Sequence, residues 1–203
     1  DSCETLSTTH RPPSLLEPCG ADVRVRVQLL QIGAVNCGTT AAVCLCLRGS
    51  SPSSALELHV ANTGDTRVVL VSDGSAPARR LSVDHVATDP DEVRRVQAAG
   101  GHVVGNRVGG TLAITRALGD HCLKGGDGGV TAEPHCIVHR VGAADRFVVM
   151  ASDGIWDVIS DDEAQQLVLQ QSERPLHEIS KHVLQTALAK GTRDNLSVLV
   201  VRL

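Results

Sequence analysis

The chain has 203 residues, enough for one domain with a real core, and is 42% hydrophobic and 21% charged, which excludes a disordered chain. The net charge of −4 supplies no electrostatic drive toward nucleic acid or an anionic membrane. One Trp, one Phe and no Tyr exclude the aromatic platforms on which single-stranded nucleic acid stacks. The core must come from Val, Leu, Ile and Ala, and β-branched side chains favour strands. The first residue is Asp1 rather than Met, so a processed chain or a fragment is expected.

In chain order, Asp1 to Gly20 is rich in Ser, Thr and Pro without periodicity and reads as loop or disorder. Val23, Val25, Val27 and Leu29 alternate with Arg24, Arg26 and Gln28, the pattern of a half-buried strand. Val27 to Leu47 is free of charge, but Gln28, Gln31, Asn36, Thr39 and Thr40, with Gly33 and Gly38 as breakers, point to two buried strands around a turn rather than a membrane span. Thr39 to Leu47 reads as a buried strand. Leu56–Ala61 and Thr66–Ser72 read as two strands joined at Asn62-Thr63-Gly64-Asp65, a meander with antiparallel neighbours.

A helix follows. Asp89 can cap it, Pro90 and Glu92 suit its first turn, Val93 and Val96 give it an apolar face, and Gly100 can end it. Phe147 to Ala151 is a continuous apolar strand running into Ser152-Asp153-Gly154. Ser160 with Glu163 makes a capping box ahead of Leu167 and Val168. Pro175 opens a last helix with Leu176, Ile179, Val183, Ala187 and Leu188 as its stripe, closed by Gly191. Leu196 to Leu203 is a Val-rich strand. Strands and helices come in separate runs, so the class is α+β: antiparallel sheets with helices packed outside.

The seven cysteines include no Cys-x-x-Cys pair, and Cys44 and Cys46 share a strand face. They are expected to act as buried small hydrophobes in a reducing compartment. The aspartates are more informative. Asp65 follows a glycine in a turn, Asp153 and Asp157 bracket Gly-Ile-Trp at a strand end, and Asp194 precedes Asn195 before the last strand. Any one of them reads as a turn former. Together, at strand ends that two packed sheets can bring to one edge, they call for cations. Hard divalent ions such as Mg²⁺ or Mn²⁺ suit oxygen ligands, and two of them can acidify a water and stabilise a phosphoryl transition state.

The motifs around these residues resemble the protein phosphatase 2C family of metal-dependent phosphatases. Cys37-Gly-Thr-Thr-Ala41 resembles the family's Ser-Gly-Thr-Thr-Ala strand start, and Asn62-Thr-Gly-Asp-Thr-Arg-Val-Val-Leu70 its Gly-Asp-Ser-Arg hairpin. Leu81-Ser-Val-Asp-His85 and Ala98-Ala-Gly-Gly101 frame the helix before its flap. The closest match is Arg107-Val-Gly-Gly-Thr-Leu-Ala-Ile-Thr-Arg-Ala-Leu-Gly-Asp120. Val130-Thr-Ala-Glu-Pro134, Ala151-Ser-Asp-Gly-Ile-Trp-Asp-Val158 and Asp194-Asn-Leu-Ser-Val198 complete the order. The resemblance spans Cys37 to Leu203, a partial phosphatase-like domain over 37–203 after an unassigned segment over 1–36.

The resemblance implies a four-layer α-β-β-α sandwich, incomplete on its N-terminal side. It implies hydrolysis of phosphoserine and phosphothreonine in proteins by a water activated at a dinuclear Mg²⁺ or Mn²⁺ centre. Asp153 and Asp194 match ligands of that centre, and Asp65 and Asp157 match the holders of an additional, weaker metal. Arg116 is expected to pair with a carboxylate and Asp120 to cap a loop. Trp156 is expected to pack, and Arg107 to Gly110 to lie near the flap. Phosphoprotein substrates, a monomer and an intracellular site, cytoplasm or nucleus, are the implied context.

The chain departs from the family upstream of Gly38. The family's phosphate-binding Arg, its Glu-Asp pair and its Asp-Gly-His-Gly segment have no counterpart. Asp-Gly pairs occur only at Asp73, Asp127 and Asp153. Weak metal binding and little turnover by this chain alone are expected. The alternative is an inactive pseudophosphatase that serves as a binding or scaffold module.

Overall fold

The computed structural model describes residues 36–49, 55–124, 126 and 128–203. The loop expected at Asp1–Gly20, the strand expected at Val23–Leu29, and Cys3 and Cys19 lie outside the described residues. In chain order the strands are β1 (Gly38–Thr39), β2 (Ala41–Arg48), β3 (Leu56–Thr63), β4 (Arg67–Ser72), β5 (Arg79–Arg80), β6 (Val103–Val104), β7 (Arg107–Val108), β8 (Leu118–Gly119), β9 (His135–Arg140), β10 (Asp145–Ala151) and β11 (Val198–Arg202). The helices are α1 (Pro90–Ala98), α2 (Asp153–Trp156), α3 (Asp161–Gln170) and α4 (Leu176–Ala189), with a 3₁₀ turn at His121–Leu123.

Two antiparallel sheets face each other, one ordered β2-β3-β9 and the other β11-β10-β4-β5. Alternation along the strands builds the layers. Val68 and Leu70 of β4 and Val148 of β10 meet Leu58 and Val60 of β3 between the sheets, with Leu81 beside them. Val69 and Val71 of β4, with Phe147, Val149 and Ala151 of β10, point the other way. They pack under Ala164 and Val168 of α3 and Ile179, Val183 and Ala187 of α4. Both strands are covered on two faces, which is why their sequences are unbroken apolar runs. The class is therefore the α+β arrangement of antiparallel sheets and helices that the sequence indicated. A third cluster, Ala87, Val96, Val108, Ala117 and Val130, joins α1 to the β6–β7 ribbon.

The N-caps of Asp89 and Ser160 form, whereas the Glu163 carboxylate accepts from Lys190 Nζ at 2.5 Å instead of completing a capping box. Asp89 accepts from the Asp91 N–H at 2.7 Å and the Glu92 N–H at 3.4 Å, and Ser160 Oγ accepts from the Glu163 N–H at 3.2 Å. Three further expectations fail. β3 and β4 are not a hairpin: β3 pairs with β2 and β9, while β4 pairs with β10 and β5. The chain crosses from one sheet to the other at Gly64-Asp65-Thr66. Gly64 makes that turn with φ at +89°, where an added Cβ would collide with the Thr40 side chain. The strand at β2 is not buried on both faces: Val43, Leu45 and Leu47 are 51%, 54% and 49% exposed, because they point away from the second sheet. The cysteines are not buried either. Among the described residues Cys37, Cys46, Cys122 and Cys136 are exposed, Cys44 is half-buried, and all five are free.

Candidate metal centre

The register of the second sheet brings the aspartates together. Ala151 on β10 lies opposite Arg67 on β4 and opposite Val198 on β11. Asp65 precedes that row by two residues, Asp153 follows it by two, and Asp194 lies four residues ahead of Val198. All three therefore lie at one end of the sheet, and α2 carries Asp157 to the same end. Asp65 and Asp153 are half-buried, whereas Asp157 and Asp194 are exposed.

The loops that hold Asp153 and Asp194 are tied to each other. The Ser152 N–H donates to the Ser197 carbonyl at 3.1 Å, the Ser197 N–H donates to Ser152 Oγ at 3.1 Å, and Thr192 Oγ1 donates to the Gly154 carbonyl at 2.9 Å. Gly154 is required here, since a Cβ would lie 2.5 Å from the Asn195 carbonyl oxygen and 3.2 Å from Asp194 Cβ. Each carboxylate is oriented by the next amide: Gly154 N–H donates to Asp153 Oδ1 at 2.9 Å, and Asn195 N–H to Asp194 Oδ1 at 2.7 Å. On the Asp65 side, Thr40 and Thr66 hydroxyls share a 2.7 Å hydrogen bond.

The electrostatics are those of an uncompensated anionic cluster. None of the four aspartates is in an ion pair among the described residues. Burial, with the charges of Asp153, Asp84 and Asp157, pushes the Asp65 carboxyl up to about 6, against a weaker pull from its own backbone N–H. Burial also raises Asp153, and Asp194 and Asp157 add to the effect, while the Gly154 N–H opposes it. The donor set is all oxygen, which suits hard divalent cations. Among the described residues no three His, Cys, Asp or Glu side chains already form a metal cage. The four carboxylates share one edge without being drawn to ligating distance.

The guanidinium groups of Arg67 and Arg116 are engaged elsewhere. Arg67 binds Asp84 and Asp161, and Arg116 binds Glu92 through Nη2 to Oε1 at 2.6 Å and Nε to Oε2 at 3.0 Å. Arg116 therefore pairs with a carboxylate as expected. Burial would raise Glu92, but hydrogen bonds from Arg116, Arg95 and Thr115 hold its carboxyl down at about 2. This network lies beneath the Asp65 turn, where the His85 N–H donates to the Gly64 carbonyl at 3.0 Å and His85 Nδ1 lies 3.1 Å from it. Burial, and then the Arg116 charge, depress His85 to about 4, so it is neutral at pH 7 and Nδ1–H can donate. Asp120 does not cap as expected. It precedes the 3₁₀ turn in the left-handed region, with φ at +48°, and its side chain makes no capping bond.

Trp156 packs as expected: it is buried, and its Nε1–H donates to the Ala151 carbonyl at 2.8 Å. Two features escaped the sequence reading. Arg193 is exposed, and with Asp157, Val158, Thr192 and Asp194 it lines an open cleft of about 470 Å³. Its position beside Asp194 was the available signal. The second feature is the bonding of Arg67 to Asp161, 94 residues away in the chain, which no local pattern could reveal.

Fold and site define an α+β sandwich of antiparallel sheets and helices with an acidic sheet edge. The profile of the protein phosphatase 2C family matches residues 22–196, and the chain belongs to that family. It is 40% identical over 177 residues to Protein phosphatase 2C homolog 1 of Saccharomyces cerevisiae, covering 82% of this chain and 60% of that protein. It is 39% identical over 156 residues to mouse Protein phosphatase 1B, covering 73% of this chain and 40% of that protein. Among solved structures, a C. elegans sex-determining protein matches with a TM-score of 0.77 at 30% identity, over 89% of this chain and 44% of that one. A serine-threonine phosphatase 2C from Toxoplasma gondii shares the fold, with a TM-score of 0.75 at 22% identity over 89% of this chain and 63% of that one. The chain spans about half the length of the curated relatives it matches. No helix among the described residues is long and apolar enough to cross a membrane.

Proposed function

We propose that this chain is part of a monomeric protein serine/threonine phosphatase that hydrolyses phosphoserine and phosphothreonine in proteins with Mg²⁺ or Mn²⁺. In this reading Asp153 and Asp194 hold the catalytic ions, and Asp65 and Asp157 hold an additional, weaker one. The observation that carries it is the gathering of four carboxylates, without any cationic partner among the described residues, at one end of the second sheet. When bound, two divalent ions supply an acidified water and positive charge for the phosphoryl oxygens. The chain's own part is positional. Backbone amides of Gly154 and Asn195 fix the carboxylates of Asp153 and Asp194. Arg193 in the cleft draws in the substrate phosphate dianion.

The test is phosphate release from a phosphothreonine peptide by the 203-residue chain, with and without Mn²⁺. Mn²⁺-dependent release that falls at least tenfold in Asp153→Asn supports the reading. Equal rates in the two proteins remove the role of Asp153. Peptide binding that neither needs Mn²⁺ nor weakens in Asp153→Asn, with no release in either protein, assigns the chain to the pseudophosphatase alternative.

A further inference from the structure

Asp65 stands two residues before β4, whereas Asp153 and Asp157 flank α2. One side chain joins these two walls. Arg67 projects from β4 two residues after Asp65, and its guanidinium carbon lies 5.0 Å from the centre of the Trp156 ring. Trp156 is the residue between Gly-Ile and Asp157, and its Nε1–H bond to the Ala151 carbonyl fixes the plane of the ring. The guanidinium is therefore stacked on a rigid surface that carries carboxylates on both flanks.

The edges of the same group are also fixed. Arg67 Nε donates to Asp84 at 3.1 and 3.2 Å, Nη2 pairs with Asp84 Oδ2, and Nη1 donates to Asp161 Oδ1 at 2.6 Å. Arg80 closes a square, donating to Asp161 Oδ2 at 2.8 Å and to Asp84 Oδ2 at 3.3 Å. Two arginines and two aspartates balance in charge. The square thus leaves the cleft carboxylates uncompensated while it clamps their supports. The Arg67 side chain is only 13% exposed, with Asp84 and Asp161 at 18% and 19%, so the clamp is largely shielded from water. A planar fork with five N–H groups can lie flat on a ring while its edges bind two carboxylates, whereas an ammonium has only three donors and no planar face.

We propose that Arg67 is a positioning residue for the cation site, setting the separation of Asp65 from Asp153 and Asp157 through the face of Trp156. This inference rests on the metal reading above and concerns geometry rather than charge. The charge-conserving substitution separates the two. If Arg67 acts only by its positive charge, Arg67→Lys leaves cation affinity unchanged. If it acts as a spacer, Arg67→Lys weakens affinity by about tenfold, the lower range for loss of a group that orients metal ligands.

The readout is built into the chain. Trp156 is its only tryptophan and there is no tyrosine, so fluorescence reports this wall alone. Mn²⁺ is titrated into the full chain, and paramagnetic quenching of Trp156 emission is followed and reversed with EDTA. The expected result is a quenching midpoint about tenfold higher in Arg67→Lys, with Arg146→Lys close to wild type because Arg146 pairs with Asp73 at the far end of the sheet. An unchanged midpoint in folded Arg67→Lys overturns the positioning role and leaves the metal reading intact. Absence of reversible quenching in wild type overturns both. Should Arg67→Lys fail to fold, the charge-conserving Asp84→Glu serves in its place. It keeps the stack and the local charge but displaces one anchor of the fork, and a midpoint raised at least threefold is expected. An unchanged midpoint there overturns the proposal.

Discussion

Gly154 links the two loops on which the proposed centre depends, and Gly154→Ala tests that link. Its φ is not in the left-handed region, so the backbone itself tolerates alanine. The obstacle is steric: the new Cβ would lie 2.5 Å from the Asn195 carbonyl oxygen, 3.1 Å from Leu196 Cδ2 and 3.2 Å from Asp194 Cβ. Ordinary contact begins near 3.4 Å, so the Asn195 backbone must retreat by about 0.9 Å and carry Asp194 with it. Insertion of a carbon into a closed contact costs about 1–3 kcal/mol. At about 2–4 °C per kcal/mol for a chain of this size, the expected drop in Tm is on the order of 5 °C. Circular dichroism melts in EDTA read the stability, and Trp156 quenching by Mn²⁺ reads the site. Gly142→Ala is the control, because its Cβ meets only Asp145 Oδ2 at 3.7 Å and its φ is also ordinary. Unchanged Tm and unchanged Mn²⁺ midpoint in Gly154→Ala would refute the packing of α2 against the Asp194 loop.

Two further outcomes concern titration. The Asp65 carboxyl is raised from 3.8 to about 6 in the fold, so the native state holds this proton more tightly than the unfolded chain does. Ionised Asp65 therefore lowers stability at neutral pH, and the penalty vanishes as pH falls below about 4. Asp65→Asn is expected to melt above wild type at pH 7.5 in EDTA, with the gap closing toward pH 4 and with Mn²⁺ stabilising the variant less than wild type. Glu92 has the opposite sign. Its carboxyl is depressed from 4.5 to about 2, so its contribution is complete above about pH 4.5 and is lost as pH falls through 2. Glu92→Gln leaves Arg116 and Arg95 without a charged partner in a buried site, a loss of roughly 3–5 kcal/mol. Melting curves from pH 2 to 7 should show a Tm lower by about 10 °C at pH 7, with the difference narrowing in acid.

Much of this fold was legible because local chemistry dictated it. The apolar runs Val68–Val71 and Phe147–Ala151 announced strands, and Asp89, Pro90 and Ser160 announced helix starts. The four aspartates were legible as a group only through the motifs around them. What failed was non-local. A four-residue connection at Asn62–Asp65 looks the same whether the chain folds back or crosses to a second sheet, and the packing of Leu58 and Val60 against Val68 and Leu70 decides it. The exposure of Val43, Leu45 and Leu47 depends on what covers β2, which alternation within the strand cannot show. The clamp of Arg67 on Trp156, Asp84 and Asp161 joins residues far apart in the chain and appears only once β4 and α3 are packed.

The most direct test of the acidic edge as a cation site is calorimetric titration of the 203-residue chain with Mn²⁺ at pH 7.5, beside Asp153→Asn. Saturable binding in wild type, weakened at least tenfold by this nearly isosteric substitution while the melting curve in EDTA is preserved, is the expected result. Equal Mn²⁺ affinity in the two proteins, or no saturable binding in wild type, would contradict it.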